Sequence, residues 1–283
     1  MIRLGYHMSI AGSIVNAPRD AVAKGYTAFQ IFTTNSRSWA HRPVDERDAE
    51  EFKSIVKAHD IAVNAHCPYL SNPSSTRPEI YKKSIEMIID NVGNCNELEI
   101  NALVIHIGSH LGKGLKYGMD NVCGALDTVL GRTKGTVILL ENSAGYNNSV
   151  GSNFAEIGEI IDRVGSERVG VCLDTVHAFA AGYELRTPEG VQKMVDEFDD
   201  EIGLKRLRLV HISDTKYDIG SGLDRHWHIG MGKIGRKGFL SFFGNKVFQN
   251  GNFVMETPLT AEADDTDNYK TVLSIIKEAQ IRS

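Results

Sequence analysis

The sequence has little cysteine and no long apolar run, and both shortages exclude classes of protein. Its 283 residues contain four cysteines, and no two of them form a Cys-x-x-Cys pair. This spacing argues against a disulfide framework or a zinc ribbon and indicates reduced thiols. No run reaches the length of a membrane span, and the first residues lack an export signal. We therefore expect a soluble, cytoplasmic protein with no membrane partner.

A net positive charge is also missing. The chain has 31 Lys and Arg against 36 Asp and Glu, so its formal charge is −5. This excludes a purely basic nucleic-acid-coating protein, but it does not exclude DNA, because bound divalent cations would offset the negative charge. Basic residues also gather in the predicted loops: Arg37, Arg42, Lys113, Lys116, Lys216, Arg225, Lys233, Arg236 and Lys237.

Strand and helix patterns alternate along the chain. Near-continuous apolar runs, typical of parallel strands buried on both faces, predict strands at Ile2–His7, Ala28–Phe32, Ala62–His66, Ala102–His106, Val137–Glu141, Val169–Asp174, Leu207–His211 and Asn252–Glu256. Between them, apolar residues at helical spacing predict helices that include Asp45–Asp60, Arg77–Leu98 and Asp265–Gln280. Asp45 and Thr266 are predicted N-caps.

The number of β–α units predicts the architecture. About eight units follow one another without a polar linker, which favours an α/β fold with one closed (β/α)8 TIM barrel, a single domain over residues 1–283. A doubly wound open sheet is the alternative. The barrel is preferred because candidate ligands stand at strand ends, and the active sites of barrels lie at the C-terminal ends of their strands.

Most of these predicted strands end in an imidazole or a carboxylate. The strand-end residues are His66, His106, Glu141, Asp174, His211 and Glu256, and His177, Asp224 and His226 follow nearby in predicted turns and loops. A single histidine is more often a hydrogen-bonded core residue than a ligand. Their joint occurrence at one end of a barrel nevertheless predicts a metal site there, since buried carboxylates are costly unless a cation neutralises them. Nine mixed ligands suit two or three Zn²⁺ or Mn²⁺ ions.

The other histidines and one glycine pattern carry weaker signals. His41 and His59 are expected to be structural or exposed, whereas His7, His110 and His228 are expected to support the ligands by hydrogen bonds. The segment from Gly230 to Gly235 matches a dinucleotide-binding pattern, but it follows a polar loop instead of a strand, so we interpret it as a false positive. Its backbone N–H groups could still approach a phosphate.

Taken together, these motifs resemble the endonuclease IV family of apurinic/apyrimidinic (AP) endonucleases over essentially the whole chain. The matching segments are Gly5-x-His7, Asn35-x-Arg37-x-Trp39, His66-x-x-Tyr69-Leu70, His106-x-Gly108-Ser109-His110, Glu141-Asn142-x-Ala144-Gly145, Cys172-Leu173-Asp174-Thr175-x-His177, His211-x-x-Asp214, Asp224-Arg225-His226-x-His228 and Glu256-Thr257-Pro258. The Cys-Leu-Asp-Thr and Asp-Arg-His segments are the most specific of them.

The resemblance implies a zinc-dependent phosphodiester hydrolase of DNA repair. Such an enzyme cuts double-stranded DNA 5′ to an abasic site, leaves a 3′-hydroxyl and a 5′-deoxyribose phosphate, and also removes 3′-blocking groups. It would act as a monomer without a protein partner, and Mn²⁺ could replace one of its three Zn²⁺ ions.

The same resemblance assigns residues to roles. One ion would be held by His66, His106 and Glu141, a second by Glu141, Asp174, His211 and Glu256, and a third by His177, Asp224 and His226. Glu141 and Glu256 would be catalytic, and Arg37, Tyr69, Leu70 and Arg225 would contact DNA.

Two other functions fit parts of the pattern. A sugar isomerase or epimerase of the same barrel type would use a Glu/Asp/His metal site, but it needs fewer ligands. A metal-stapled DNA-binding module would have closed metal sites, whereas a catalytic site keeps a position open for water.

Overall fold

The computed structural model describes residues 1–282, which form a closed barrel of eight parallel strands in sequential order, with nine α-helices outside it. The (β/α)8 prediction is therefore confirmed, and the open sheet is wrong. The strands are β1 (Ile2–His7), β2 (Ala28–Phe32), β3 (Ala62–His66), β4 (Ala102–His106), β5 (Val137–Glu141), β6 (Val169–Asp174), β7 (Leu207–Ile212) and β8 (Gly251–Met255).

The α-helices cover the outside of the barrel. They are α1 (Asn16–Lys24), α2 (Glu46–Ala58), α3 (Pro78–Glu97), α4 (Leu115–Arg132), α5 (Phe154–Val164), α6 (Thr175–Ala181), α7 (Pro188–Glu201), α8 (Gly235–Gly244) and α9 (Asp265–Arg282). Short 3₁₀ helices occupy Leu204–Arg206 and Lys246–Gln249. None of the helices in the described part of the chain is long and apolar enough to cross a membrane.

Two helix starts and two strand ends test the predicted boundaries. The Asp45 carboxylate accepts hydrogen bonds from the backbone N–H groups of the first turn of α2, so the predicted N-cap is confirmed. The Thr266 N-cap is wrong, because the helix has already begun there and Asp264 instead accepts from the N–H of Asp267. Strand β7 extends one residue past His211, and β8 ends one residue before Glu256.

The barrel has two hydrophobic cores. The larger one fills the space between the strands and the helices and includes residues that flank the lumen positions, such as Leu103 and Ile105. The smaller one lies inside the barrel and takes one buried residue from each of five consecutive strands: Val104, Leu139, Cys172, Leu209 and Val254. This alternation is the period-two pattern of strands with one face toward the lumen and one toward the helices.

Strand β1 approaches its neighbour closely at one glycine. A Cβ atom on Gly5 would lie 1.5 Å from the carbonyl oxygen of Ala28, so no other residue fits without moving β2. Gly5 pairs with Ala28 on one side and with Val254 on the other. The Gly5-x-His7 segment thus closes the barrel and places His7 at its mouth.

Candidate metal centre

The predicted ligands reach one place because of strand geometry. His106, Glu141, Asp174, His211 and Glu256 each stand two residues after a lumen residue of the smaller core. Since strand side chains alternate with a period of two, each of these ligands points into the carboxyl end of the barrel. The first of the three groups of ligand atoms that lie within 4.8 Å of one another is His66, His106 and Glu141.

Glu141 is the centre of the cluster. Its Oε2 lies 3.1 Å from His66 Nε2 and 3.0 Å from His106 Nε2, and its Oε1 lies 3.0 Å from His211 Nδ1. Burial alone would raise the pKa of this carboxyl, but the facing His106 and His211 imidazoles outweigh it and hold the pKa well below its usual range. Glu141 is therefore an anion that faces both the first and the second group.

The second group consists of Glu141, Asp174, His211 and Glu256. Asp174 is fully buried, and its Oδ1 caps α6 by accepting the N–H of His177 at 2.8 Å. Its Oδ2 is buried and has no hydrogen-bond partner among residues 1–282. That oxygen lies 3.9 Å from His211 Nδ1 and 3.9 Å from His226 Nε2, too far for a hydrogen bond to either.

The third group differs slightly from the prediction. The atoms that lie mutually close belong to Asp174, His177 and His226. Asp224, which the resemblance assigns to this position, lies beside them: its Oδ1 is 3.2 Å from both His177 Nε2 and His226 Nε2. Asp174 therefore faces both the second and the third group, and Asp224 closes the third from the solvent side.

In three of the histidines, the ring nitrogen that points away from the cluster lies within hydrogen-bond distance of a backbone carbonyl oxygen. His66 Nδ1 donates to the carbonyl oxygen of Cys67 at 2.7 Å, and His177 Nδ1 donates to that of Asn142 at 2.8 Å. His226 Nδ1 lies 3.2 Å from the carbonyl oxygen of Glu256. Because a carbonyl can only accept, each ring keeps its other nitrogen toward the cluster, as metal-ligating histidines do.

These residues fit a metal centre. Imidazole nitrogens and carboxylate oxygens without cysteine are the ligands of zinc and manganese sites. Two atoms bound to one ion at about 2 Å lie no more than about 4 Å apart, and the neighbouring ligand atoms lie 3.0 to 3.9 Å apart. The unpartnered oxygen of Asp174 is the kind of atom that a cation would satisfy.

The residues assigned to DNA binding lie in loops around the mouth. Tyr69 is 62% exposed, with its ring 5.9 Å from that of His106, and both line a cavity of about 280 Å³ with Glu256. Arg37 and Arg225 are exposed. Leu70 is half-buried and packs against the larger core, so it offers less surface than Tyr69.

The remaining histidines divide between the site and the loops. His7 Nδ1 lies 3.4 Å from Glu256 Oε1, as expected of a supporting residue. His110 instead accepts from the N–H of Gly114, and His228 bonds to Thr260 and Asn268, so both hold loops and their predicted support of the ligands is wrong. The predictions for His41 and His59 are confirmed, since both rings are on the surface.

The backbone N–H groups of the glycine-rich segment bind a carboxylate of the same chain. The carboxylate of Asp214 accepts hydrogen bonds from the backbone N–H groups of Thr215, Gly230, Gly232, Ile234 and Gly235. The idea that this segment approaches a phosphate is therefore wrong. Gly232 is required here, because a Cβ atom would lie 2.4 Å from Asp214 Oδ1.

Pattern reasoning missed Gln30. It is fully buried inside the barrel, and its amide bonds to His7, His211 and Glu256. Nothing local marks it, since it lies in the middle of an apolar strand. The one available signal is its position two residues before the end of β2, in step with the residues that precede the ligands on other strands.

The fold and the cluster define a class of protein. The model of the xylose isomerase-like TIM barrel family matches residues 18–279. A D-tagatose 3-epimerase-like protein, 19% identical, superposes with a TM-score of 0.75 over 99% of this chain and 97% of its own, which shows the shared fold alone.

Relatives of higher identity name the family within that class. The chain is 41% identical to the probable endonuclease 4 of Cenarchaeum symbiosum, over 97% of this chain and 99% of that one. It is 43% identical to the probable endonuclease 4 of Methanoculleus marisnigri, over 96% and 98%. The structure of endonuclease IV from Thermus thermophilus superposes with a TM-score of 0.85 at 31% identity, over 99% of this chain and 100% of its own.

The chain belongs to the endonuclease IV family. The resemblance inferred from the motifs is confirmed, and so is the prediction of an enzyme of this family.

Proposed function

We propose that this protein is a zinc-dependent AP endonuclease. It hydrolyses the phosphodiester 5′ to an abasic site in double-stranded DNA, leaves a 3′-hydroxyl and a 5′-deoxyribose phosphate, and also removes 3′-blocking groups. The observation that carries the proposal is the convergence of three overlapping groups of ligand atoms at one barrel mouth. The whole chain would act as one domain and as a monomer.

The proposed ligands follow the three groups, except that Asp224 is proposed for the third group in place of Asp174. His66, His106 and Glu141 would hold one ion, and Glu141 would share a second with Asp174, His211 and Glu256. His177, Asp224 and His226 would hold the third, with Asp174 facing it. Metal ions bound here would lower the pKa of water and neutralise phosphate oxygens. Zn²⁺ is proposed for all three positions, and Mn²⁺ suits the same ligands.

The protein side chains would position the phosphodiester and the attacking water. Glu256 lies at the edge of the cavity with Oε1 held by Gln30 at 2.8 Å, so its Oε2 faces the cluster, where it would both hold an ion and orient water. An unperturbed tyrosine hydroxyl has a pKa of about 10, and the negative charges of Glu256 and Glu141 raise the pKa of Tyr69 further. Tyr69 therefore remains a hydrogen-bond donor at neutral pH and can donate to a phosphate or sugar oxygen.

The loops beside the mouth would hold the duplex. A groove of about 1270 Å³ runs from His7 along the loops that follow β1 and β2, and Asn35 and Arg42 line it. Arg37 and Arg225 add positive charge to exposed loops of the same face. Contacts of this kind hold the DNA backbone and carry no sequence information. A nucleotide without a base leaves the stack at low cost, which explains selection of the lesion.

A defined oligonucleotide tests this function. A duplex with one tetrahydrofuran abasic analogue should be incised once, on the 5′ side of the lesion, and chelator treatment should stop incision until Zn²⁺ is restored. Binding without incision would support a DNA-binding module, and turnover of ketoses without incision would support a sugar isomerase. Either result contradicts the proposal.

Glu256→Gln tests the assigned role of the carboxylate. The amide keeps the size of the side chain but loses the charge, so incision should fall by more than about 100-fold while binding of the abasic duplex stays within about threefold of wild type. Gel-shift and single-turnover assays measure the two quantities. Retained cutting would show that Glu256 does not act in the reaction.

A further inference from the structure

Gln30 is an amide buried inside the barrel beneath the proposed ligands. It lies on β2, is 0% exposed, and pairs in register with Asn64 of β3. A buried primary amide is costly unless its oxygen and its N–H groups are satisfied. Its hydrogen bonds therefore show what the surrounding structure requires of it.

Both ends of the Gln30 amide are engaged by proposed ligands. Nε2 lies 2.8 Å from Glu256 Oε1 and 3.0 Å from His7 Nδ1, and Oε1 lies 2.9 Å from His211 Nε2. The carboxylate oxygen of Glu256 can only accept, so the amide nitrogen must face it. This fixes the amide orientation, and the amide oxygen must face His211.

This orientation determines which atoms the ligands present to the cluster. Because the amide oxygen can only accept, His211 Nε2 carries the hydrogen, and His211 Nδ1 faces Glu141 Oε1 at 3.0 Å and Glu256 Oε2 at 3.5 Å. The same amide holds Oε1 of Glu256 and leaves Oε2 toward the cluster. One side chain thus orients two ligands that come from β7 and from the end of β8.

We propose that Gln30 is a positioning residue for the second metal position: it fixes the nitrogen that His211 presents and the oxygen that Glu256 presents to an ion. This inference rests on the proposed function. Glutamate at this position would keep the acceptor for His211 but would set a second carboxylate against Glu256. Methionine would keep the length and lose both hydrogen bonds.

Zinc affinity of the purified full-length protein tests the inference. Wild type, Gln30→Met and Gln30→Glu are stripped of metal, titrated with Zn²⁺ in competition with a chromogenic chelator, and examined by circular dichroism for folding of the metal-free form. Asn64→Leu is the matched control, because Asn64 is buried in the same layer of the barrel and its Nδ2 has no hydrogen-bond partner in the described part of the chain.

The expected result is weaker binding of one of the zinc ions. Gln30→Met should bind one equivalent of zinc about 10- to 100-fold more weakly than wild type, as observed when partners behind metal ligands are removed. The zinc affinity of Gln30→Glu should lie between those of wild type and Gln30→Met, because glutamate restores the hydrogen bond to His211 alone. Asn64→Leu should bind zinc like wild type.

Several outcomes would overturn the inference. Wild-type zinc affinity in Gln30→Met, or an equal loss in Asn64→Leu, would show that the amide does not position the ligands. If the variants fail to fold, a crystal structure of the zinc-loaded wild type decides: an amide that contacts neither His211 nor Glu256 overturns the inference. A wild type that binds no zinc overturns the proposed function first, and this inference with it.

Discussion

Two fully buried aspartates of this molecule are stabilised in opposite ways. Asp214, just after β7, accepts five backbone N–H groups from its own segment and from the glycine-rich loop. Asp174, at the end of β6, uses Oδ1 to cap a helix, and its Oδ2 has no hydrogen-bond partner among the residues that the structure describes. The first carboxylate is neutralised by the chain itself, whereas the second is left for something the chain does not supply.

The difference separates a structural anion, Asp214, from a proposed metal ligand, Asp174. Buried charges persist when fixed dipoles or a counter-ion compensate them. Backbone dipoles also compensate the half-buried charge of Arg168, whose guanidinium donates to the carbonyl oxygens of Leu130, Thr133 and Thr136. At the barrel mouth the imidazoles and carboxylates face one another, and among the described residues Asp174 Oδ2 has no hydrogen-bond partner, which is the arrangement expected of a site that takes up cations.

The largest effect should come from removing the charge of Asp174. Asp174→Asn keeps the helix cap but removes an anion that faces two metal positions, so incision should fall by more than about 100-fold and zinc content should drop. At neutral pH the free energy of unfolding of the metal-free protein should fall by about 1 kcal/mol, because the attraction between Asp174 and the protonated His226 is lost while no hydrogen bond of Oδ2 to the described residues is broken. Urea denaturation and metal analysis measure these quantities.

Asp214→Asn should show the opposite pattern, with a larger loss of stability and a smaller loss of zinc than Asp174→Asn. An amide at this position would turn an NH2 group toward backbone donors, which should reduce the free energy of unfolding by about 3 kcal/mol. The loop that carries Asp224 and His226 should loosen with it, so the third zinc should be lost before the others. Equal destabilisation in Asp174→Asn and Asp214→Asn would remove the distinction between the two aspartates.

The pH dependence of the metal-free protein provides another test. Although burial opposes it, the charge of Asp174 and the hydrogen bond to Asp224 raise the pKa of His226 to about 9 from 6.5. A raised pKa in the folded state stabilises the protein below pH 6.5, and this contribution is lost as the pH rises through 9. For His226 the loss is about 3 kcal/mol.

Bound zinc should abolish this loss of stability at high pH, because the ion takes the place of the protons on the imidazoles. Urea denaturation at pH 6.5 and at about pH 10, with chelator and with zinc, distinguishes the two states. Equal stability of the metal-free protein at both pH values would mean that its histidines are not held protonated by the carboxylates.

The smallest effect should come from the rim of the mouth. Tyr69→Ala should reduce discrimination between abasic and intact duplex by about 10-fold, the scale of one lost stacking contact, without changing zinc content. Tyr117→Ala is the control, since Tyr117 is 46% exposed on α4. Loss of zinc in Tyr69→Ala would show that Tyr69 supports the metal ligands.

The sequence predicted those parts of the molecule that depend on near neighbours in the chain. Strands were recognisable from short apolar runs, and His106 and Glu141 could be assigned to the mouth because each ends such a run. The Asp45 cap was recognisable for the same reason, since a cap is a contact over three residues.

Contacts between residues far apart in the chain could not be predicted from such local patterns. Gln30 lies in an apolar strand, and its partners His211 and Glu256 are 181 and 226 residues away in the chain. The role of Asp214 could likewise not be predicted from its motif, because its partners lie in the glycine-rich loop later in the chain. The Thr266 cap was wrong because the neighbouring Asp264 competes for the same backbone groups.

By itself, therefore, the sequence determined that eight strands form and that most of them end in an imidazole or a carboxylate, because period-two alternation and strand-end position are local properties. Only the tertiary structure decided which atoms of those ligands face one another, which buried anions are already satisfied, and which amide orients them. Those properties depend on the closure of the barrel, which brings residues of β1, β2, β7 and β8 into contact.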